Sequence, residues 1–317
     1  MSPLALVTGG AGFIGSHLVR GLLARGYRVR VLDDFSTGRP ENLEGLRGPL
    51  EVREGDLRDP RVLADALRGV EVVFHQAAFV SVPASMKDPL ACHTVNTDGT
   101  ARLLELARRA GVAKVVLASS AAVYGDADAF PLCEDLPYRP LSPYAASKAT
   151  NEVYARLYTL AFGLPVVALR YFNVYGPRQR PDSPYAAVIP IFIRRLLDGQ
   201  PPTVFGDGTQ RRDFVFVGDV VRANLLAAER SAADGQALNI CTGVEVSLLD
   251  LLAVLRDLVP NAPEPVFAPP RPGDIHRSVG DPSRAERLLG FRAQTPLREG
   301  LAQVMAWMRN TAKGERK

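Results

Sequence analysis

A glycine-rich turn between an apolar run and a helical pattern constrains this chain more than any other feature. The segment Thr8–Gly15 reads TGGAGFIG and holds both Gly-x-Gly-x-x-Gly and Gly-x-x-Gly-x-x-Gly. It joins the apolar run Leu4–Thr8 to an amphipathic pattern over Gly15–Arg25. Glycines at this spacing allow a tight turn, close approach of a pyrophosphate, and close packing of helix on strand. The segment therefore predicts a strand–turn–helix unit that binds the phosphates of a dinucleotide.

The first half of the chain alternates two hydrophobic periods. Helical patterns over 60–67, 97–110 and 147–162 separate further short runs rich in Val, Leu and Phe. These runs are Arg28–Asp33, Glu71–His75, Lys114–Ala118 and Val166–Phe172. Strands that are apolar on both faces, with helices between them, predict a parallel sheet covered by helices on both sides. The fold class is therefore α/β, a Rossmann-like doubly wound parallel sheet.

The local composition changes after residue 172, where Pro and Gly become frequent. A strand-like stretch over 213–217 and a helical pattern over 220–230 indicate a return to the first domain. We predict a dinucleotide-binding domain of residues 1–172 plus 213–234 and a smaller mixed α/β substrate-binding domain of 173–212 plus 235–310. Residues 311–317 are predicted to form a tail. A chain of 317 residues is long enough for two such domains.

Composition and charge argue against several classes of protein. The chain is 47% hydrophobic and 23% charged, as expected of a globular protein. Its net charge of +4 is spread thinly, so no nucleic-acid partner is expected. It has no apolar run of about 20 residues, so no membrane span is expected. The first 19 residues carry no Asp, Glu, Lys or Arg but are broken by glycines, so they do not resemble a signal peptide.

Three cysteines are too few and too far apart to form a disulfide framework or a set of metal ligands. They are Cys92, Cys133 and Cys241. Free thiols are typical of a reducing compartment. We therefore expect a cytoplasmic location and no metal site.

A carboxylate follows the glycine turn at the distance that a dinucleotide site requires. Asp33 ends the second predicted strand, 18 residues after Gly15, where a carboxylate binds the adenosine ribose. Its charge would repel a 2′-phosphate and so favours NAD over NADP, although Arg39 nearby leaves NADP open. Asp56 follows a later strand and is either an adenine contact or a helix cap before Pro60.

Tyr144 and Lys148 are candidates for proton chemistry. Residues four apart on a helix project from one face, one turn from each other. An ammonium beside a phenol lowers the pKa of the phenol, which gives a usable base near neutral pH. Lys148 is also one of only five lysines beside 33 arginines. Ser120, at the end of an earlier strand, could hydrogen-bond both Tyr144 and a substrate hydroxyl.

Taken together, these residues resemble the extended short-chain dehydrogenase/reductase superfamily and, within it, the UDP-hexose 4-epimerase family. The resemblance covers nearly the whole chain. It includes the motifs His75–Ala78, Asn96, Tyr171–Pro177, Arg211–Phe214 and Arg271–Asp274. It implies NAD as cofactor, a UDP-sugar as substrate, and a homodimer formed by the helices around 97–110 and 147–162.

The resemblance also implies binding residues. For the cofactor they are Gly9, Gly12, Phe13, Ile14, Gly15, Asp33, Asp34, Asp56, Leu57, Ala77, Ala78, Asn96, Tyr144 and Lys148. For the nucleotide sugar they are Ser120, Tyr144, Asn173, Val188, Val204, Phe205, Arg212, Arg271, Asp274 and Ser278. In this set Asn173 would hold a phosphate or ribose, Arg212 and Arg271 would clamp the diphosphate, and Asp274 would bind the uridine ribose. Stretches 188–190 and 204–205 would form the walls of the uracil pocket.

Departures from related families narrow the reaction. Sugar 4,6-dehydratases and UDP-glucuronate decarboxylases of the superfamily place an acidic residue just after the catalytic Ser or Thr, whereas this chain has Ala121 and Ala122. Enzymes restricted to glucose and galactose tend to have a tyrosine where Ser278 stands, so a small residue there would leave room for an N-acetyl group. The segment 179–182 resembles UDP-glucuronate 4-epimerases, but Asn173 and the run 185–190 favour a neutral or N-acetylated sugar.

The resulting hypothesis is an NAD-dependent UDP-hexose 4-epimerase that oxidises carbon 4 transiently. It would interconvert UDP-glucose and UDP-galactose, with the N-acetylhexosamine pair as a further option. Three alternatives stay open at this stage. Two are a UDP-glucuronate 4-epimerase and a keto-sugar-nucleotide reductase of the same fold. The third is a non-enzymatic dinucleotide-binding sensor.

Overall fold

A computed structural model describes residues 2–181, 187–270 and 275–314, with side chains described through residue 311. Its strands are β1 Leu4–Thr8, β2 Arg28–Asp33, β3 Leu50–Glu54, β4 Val72–His75, β5 Lys114–Ser120, β6 Val166–Tyr171, β7 Asn173–Tyr175, β8 Thr203–Phe205, β9 Arg211–Arg212, β10 Phe214–Phe216, β11 Ala237–Ile240, β12 Val246–Ser247, β13 Val266–Ala268 and β14 Arg277–Ser278. Its α-helices are α1 Phe13–Ala24, α2 Pro60–Ala66, α3 Val82–Lys87, α4 Pro89–His93, α5 Gly99–Arg109, α6 Pro143–Phe162, α7 Val188–Leu197, α8 Val217–Glu229, α9 Leu248–Leu258, α10 Ser283–Leu289 and α11 Leu297–Gly314.

The centre of the molecule is a seven-stranded parallel sheet in the order β11-β6-β5-β4-β1-β2-β3. Strand order reverses beside β1, because the chain first runs outward through β2 and β3 and then returns to β4 on the other side. Ligands of open α/β sheets bind outside the carboxyl ends of the strands at such a switch point. The predicted Rossmann-like, doubly wound sheet is confirmed.

Helices bury both faces of this sheet. One core cluster places Leu18 and Leu22 of α1 and Ala223 of α8 with Val116 of β5. The opposite cluster places Leu103 of α5 with the neighbouring strand residues Val115 and Leu117. Since successive strand residues point to opposite faces, β5 supplies apolar side chains to both layers. This double burial explains the continuous apolar runs in the sequence.

A smaller group of elements lies beyond the carboxyl edge of the sheet. It includes two-stranded and three-stranded sheets, with pairings β10-β7, β13-β8 and β12-β9-β14. Apolar side chains of α7, α9 and α11, such as Phe192, Leu251 and Val304, form its core together with Phe214 and Phe216. This group forms the outer wall of the cleft described below.

Two strands and the last helix differ from the sequence interpretation. The edge strand β3, Leu50–Glu54, is not among the apolar runs because its side chains are only partly buried or exposed. Strand β11, Ala237–Ile240, pairs with β6 in the large sheet, although the predicted boundary at 235 placed it in the smaller domain. Helix α11 continues to Gly314, past the predicted start of the tail at 311.

In the described part of the chain, none of the helices has both the length and the apolar character needed to cross a bilayer. The side chains of this part likewise contain no group of three or more His, Cys, Asp or Glu placed to hold a metal ion.

Candidate functional site

A large cleft runs along the carboxyl edge of the seven-stranded sheet. Its volume is about 1290 Å³, and its lining extends from the glycine turn through Ser120, Tyr144 and Lys148 to Asn173 and Arg212. The motifs that are scattered over some 200 residues of sequence therefore meet in one continuous cavity. A cleft of this size and position can hold a dinucleotide together with a second ligand.

The glycine turn is shaped so that a ligand can approach its backbone. Gly9 adopts a φ of +67°, and a Cβ there would lie 2.7 Å from the Ala77 nitrogen. A Cβ at Gly15 would collide with the Gly9 carbonyl oxygen. Helix α1 begins after Gly12, which has no side chain to cap it. Its first N–H groups are therefore available for the phosphates of a dinucleotide.

The carboxylate of Asp33 holds the backbone of this turn. Its Oδ2 accepts a hydrogen bond from the Ala11 nitrogen at 2.8 Å and its Oδ1 accepts one from the Phe35 nitrogen at 2.9 Å. Burial raises the pKa of Asp33, and these two hydrogen bonds oppose the rise. The carboxylate lines the cleft at the end of β2, where the sequence places the ribose contact.

The structure brings most of the other predicted cofactor residues to the same end of the cleft. These lining residues are Phe13, Ile14, Asp34, Leu57, Ala77 and Ala78. Asp56 is not among the lining residues, and its carboxylate pairs with Arg58 at 2.5 Å. The cap of α2 is Asp59 instead, whose side chain accepts from the Arg61 nitrogen.

Asn96 lies one layer behind the cleft rather than in its lining. Its Oδ1 accepts from the Phe79 nitrogen at 2.7 Å, and its Nδ2 donates to the Phe79 oxygen at 3.1 Å and to the Ser147 hydroxyl at 2.9 Å. Phe79 does line the cleft. Asn96 therefore fixes a piece of cleft backbone and joins it to helix α6.

At the middle of the cleft the three proposed catalytic side chains come together. Ser120 ends β5, and its hydroxyl hydrogen-bonds the Tyr144 phenol. Tyr144 and Lys148 share one face of α6, with the Lys148 Nζ 5.8 Å from the centre of the Tyr144 ring. Lys148 is almost fully buried, and its Nζ donates to the Ala118 oxygen at 2.8 Å.

The electrostatics of this pair differ from the sequence expectation. Burial raises the pKa of Tyr144 above its usual value, and the hydrogen bond with Ser120 opposes the rise. Burial also lowers the pKa of Lys148 to about 8. The ammonium was expected to lie beside the phenol, whereas in the structure it donates to a backbone carbonyl. Lowering of the phenol pKa by Lys148 is therefore not seen in the protein alone.

The far end of the cleft contains four of the predicted nucleotide-sugar residues, Asn173, Val188, Phe205 and Arg212. Val204 is fully buried in the core behind them. Ser278, on strand β14, pairs in register with Arg212 of β9 but is not itself in the lining. Arg271 and Asp274 lie outside the described residues.

The charge of the cleft suits ligands rich in phosphate. The basic side chains of its described lining are Arg39, Lys148, Arg178, Arg180, Arg195 and Arg212, whereas the acidic ones are Asp33 and Asp34. Both carboxylates lie at the glycine-turn end. A low-dielectric cavity with this excess of cations attracts anions such as diphosphates.

Sequence reasoning assigned no role to several lining residues. Gln76 and Tyr171 line the cleft and form a hydrogen-bonded cluster with Asn224, with Gln76 Nε2 and Asn224 Nδ2 at 3.1 and 2.8 Å from the Tyr171 hydroxyl. Gln76 follows β4 and Tyr171 ends β6, so their position at carboxyl ends of strands was a usable signal. Arg178 also lines the cleft, and nothing in its sequence context sets it apart from other loop arginines.

Comparison with known proteins identifies the family to which the chain belongs. A family model described as the NAD dependent epimerase/dehydratase family matches residues 5–241. A UDP-glucose 4-epimerase of Mycolicibacterium smegmatis is 46% identical over 314 residues, which is 96% of this chain and 98% of that protein.

Two solved structures are similar in fold and sequence. The UDP-glucose 4-epimerase of Thermus thermophilus, in complex with NAD, is 41% identical with a TM-score of 0.88, covering 96% of this chain and 99% of that one. A UDP-N-acetylglucosamine 4-epimerase of Methanobrevibacter ruminantium, in complex with UDP-N-acetylmuramic acid, is 37% identical with a TM-score of 0.94, covering 98% and 100%.

The cofactor of this chain is NAD. The glycine turn, which leaves room that any Cβ would fill, and the Asp33 carboxylate provide the surroundings that such a dinucleotide needs. With its doubly wound sheet, its glycine turn and this extent of similarity, the chain belongs to the NAD-dependent epimerase/dehydratase family.

Proposed function

We propose that the protein is a UDP-hexose 4-epimerase that interconverts UDP-glucose and UDP-galactose. One observation carries the proposal: Ser120, Tyr144 and Lys148 lie in the same cleft, between a dinucleotide-binding turn and a cationic far end. A sugar nucleotide whose diphosphate binds at Arg212 would extend its hexose toward Tyr144. The similarity to UDP-glucose 4-epimerases at 41% and 46% identity supports the same assignment.

In this proposal the protein side chains transfer one proton. Tyr144, as the phenolate, takes the proton of the sugar 4-hydroxyl, and Ser120 orients both groups through its hydrogen bond. Lys148 is buried beside the ring, and its Nζ donates to the Ala118 oxygen rather than to the phenol. Bound NAD would accept the hydride from carbon 4 and return it, and its cationic nicotinamide ring would supply the positive charge that favours the phenolate.

Inversion at carbon 4 requires the sugar to turn while its nucleotide stays bound. The cationic residues at the far end, Arg195 and Arg212, provide an anchor for the diphosphate that is separate from the reacting centre. The hexose, between this anchor and the reacting centre, could then present either face to the cofactor. Separation of anchor and reacting centre is the feature that favours epimerisation over a simple oxidation.

Hydroxyl groups, rather than carboxylates, stand at the reacting centre. Ser120 is followed by Ala121 and Ala122, and the Ala122 nitrogen donates to the Ser120 hydroxyl at 3.2 Å. In the described lining the carboxylates are Asp33 and Asp34, at the other end. Loss of a sugar hydroxyl needs an acid to protonate it, so this arrangement supports epimerisation over dehydration.

The substrate assignment is tested by offering UDP-glucose, UDP-N-acetylglucosamine and UDP-glucuronate separately to the purified protein. We expect UDP-galactose from the first without added reductant, and the 4-epimer of the second if the space near Ser278 admits an N-acetyl group. An epimer from UDP-glucuronate alone would instead assign the UDP-glucuronate reaction. Stoichiometric consumption of NADH would indicate a reductase, and no conversion of any sugar would favour a sensor.

Replacement of Asp33 is expected to change cofactor affinity and choice. In Asp33→Ala the glycine turn loses two hydrogen bonds and the ribose loses its proposed acceptor. The Kd for NAD should rise about tenfold or more, since hydrogen bonds to charged groups contribute about 1.5–3 kcal/mol. The ratio of NADP to NAD affinity should rise because the repulsive charge is gone.

Fluorescence titration of both cofactors measures this change. Asp128→Ala, which removes an exposed carboxylate of the same kind, serves as the control. An unchanged Kd for NAD in Asp33→Ala would refute the proposed role of Asp33.

We also propose that the protein is a homodimer that pairs through α6. This helix exposes Val153, Leu157 and Leu160, whose spacing of four and three residues places them on one face. Leu160→Glu is expected to give a monomer in light scattering after size exclusion, because a buried charge would disrupt an apolar interface. Val244→Glu, at a similarly exposed apolar residue elsewhere, should leave the dimer intact. Equal masses for both variants would argue against this interface.

A further inference from the structure

The loop that follows β7 is tied to the start of helix α1. His17 Nε2 lies 2.8 Å from the Pro177 oxygen and donates to it, and burial lowers the pKa of His17 to about 4, so the ring stays neutral. A Cβ at Gly176 would lie 3.4 Å from Phe13 Cε2, so the loop backbone runs beside the first residue of α1. Gln179 Nε2 donates to the Val174 oxygen at 3.0 Å. Arg178, the cationic residue between Pro177 and Gln179, is thereby held beside helix α1.

Arg178 has a strained backbone and, among the described residues, no hydrogen-bond partner at one of its nitrogens. Its φ is +69°, a conformation that residues other than glycine rarely adopt. Its Nη1 is buried and makes no hydrogen bond among the described residues, although the side chain lines the cleft. Buried unpaired donors of a cation are unfavourable, and both features persist in proteins mainly where a ligand needs them.

The neighbours of Arg178 indicate which kind of ligand would suit it. Its pKa is lowered by burial and by the like charge of Arg20 on α1. A second cation nearby makes burial of the Arg178 Nη1 less favourable, so an anion would stabilise this site. The anion that belongs beside the N-terminus of α1 is the pyrophosphate of the dinucleotide.

We propose that Arg178 binds the pyrophosphate of NAD, completing an anion site whose other half is the first turn of α1. The guanidinium fork can donate two parallel hydrogen bonds to phosphate oxygens. Under the proposed function, the cleft binds two diphosphates, that of the cofactor and that of the nucleotide sugar. The tie of this loop to α1 through His17 and Phe13 assigns Arg178 to the cofactor.

Replacement of Arg178 separates the two diphosphates. In Arg178→Gln the affinities for NAD and ADP-ribose should fall about tenfold or more, as expected for loss of a charge-assisted hydrogen bond. The affinities for adenosine and for UDP should stay the same. Arg212→Gln, at the other end of the cleft, should show the reverse pattern, with UDP weakened and ADP-ribose unchanged. Calorimetric titration of protein stripped of NAD measures all four ligands.

A second readout distinguishes ligand binding from a structural role. Because Arg178 buries a nitrogen that has no partner in the described part of the chain, Arg178→Gln should unfold at an equal or higher temperature than the parent without NAD and gain less from added NAD. A lower midpoint without ligand, unchanged ADP-ribose affinity, or weakened UDP binding would each overturn the proposal. These measurements depend on NAD as cofactor and not on the proposed epimerase reaction, so either can fail alone.

Discussion

Tyr144→Phe is expected to lower kcat for interconversion of UDP-glucose and UDP-galactose by about 10³-fold, within the 10²–10⁴-fold range of general acid–base catalysis. The substitution removes only the hydroxyl that meets Ser120 in the cleft. The ring, its place on α6 and the buried Lys148 beside it all stay. NAD bound per protomer should therefore remain close to that of the parent.

Tyr154→Phe is the matched control for this result. Tyr154 lies on the same helix but outside the cleft lining, so loss of its hydroxyl should leave kcat nearly unchanged. Turnover of Tyr144→Phe within a few-fold of the parent would show that another group takes the proton. A parallel fall in both variants would point to damage of the helix rather than to the phenol.

Loss of the buried Glu152 carboxylate is expected to cost about 3–5 kcal/mol of unfolding free energy, the usual penalty for breaking a buried ion pair from one side. The side chains of Glu152 and Arg170 are 1% and 3% exposed, and the Glu152 Oε2 lies 2.7 Å from the Arg170 Nη2. The carboxylate also accepts from Ser119 and, at 3.0 Å, from the Tyr138 hydroxyl. In Glu152→Gln the Arg170 guanidinium stays buried without its counter-charge.

Thermal unfolding at fixed protein and NAD concentration measures this loss, since bound cofactor raises the midpoint. Glu229→Gln removes the carboxylate of a half-exposed pair with Arg25 and should change the midpoint little. The double variant Glu152→Met, Arg170→Met should recover part of the loss, because the unpaired charge is gone. An unchanged midpoint in Glu152→Gln would show that Arg170 finds another partner or water.

Local sequence patterns were sufficient where one stretch of chain does the whole task. The turn at Thr8–Gly15, the strands on either side of α1, and the Tyr144–Lys148 spacing are all local, and each lies where the sequence predicts. Strand β3 was missed because an edge strand with partly exposed residues has no continuous apolar run. Strand β11 has no clear sequence signal, because it is only four residues long and pairs with β6, about 70 residues earlier.

Side-chain environments depended on tertiary contacts that no pattern contains. Lys148 turns to the Ala118 oxygen, which β5 brings under the helix, and this changed the electrostatic argument for Tyr144. Asn96, a predicted cofactor contact, accepts a hydrogen bond from the Phe79 nitrogen, which its local sequence does not indicate. Arg178 stands out because its Nη1 is buried and, within the residues that the structure describes, has no hydrogen-bond partner.

The proposed epimerisation requires that hydride leaves carbon 4 and returns to the same atom within one cleft. The direct measurement uses UDP-glucose deuterated at carbon 4, with the NAD-loaded protein and no added reductant, followed by NMR of the product. We predict UDP-galactose that keeps its deuterium at carbon 4, because the transferred atom never meets solvent. Product with hydrogen from water at that position, or NADH accumulating with no epimer, would contradict the account.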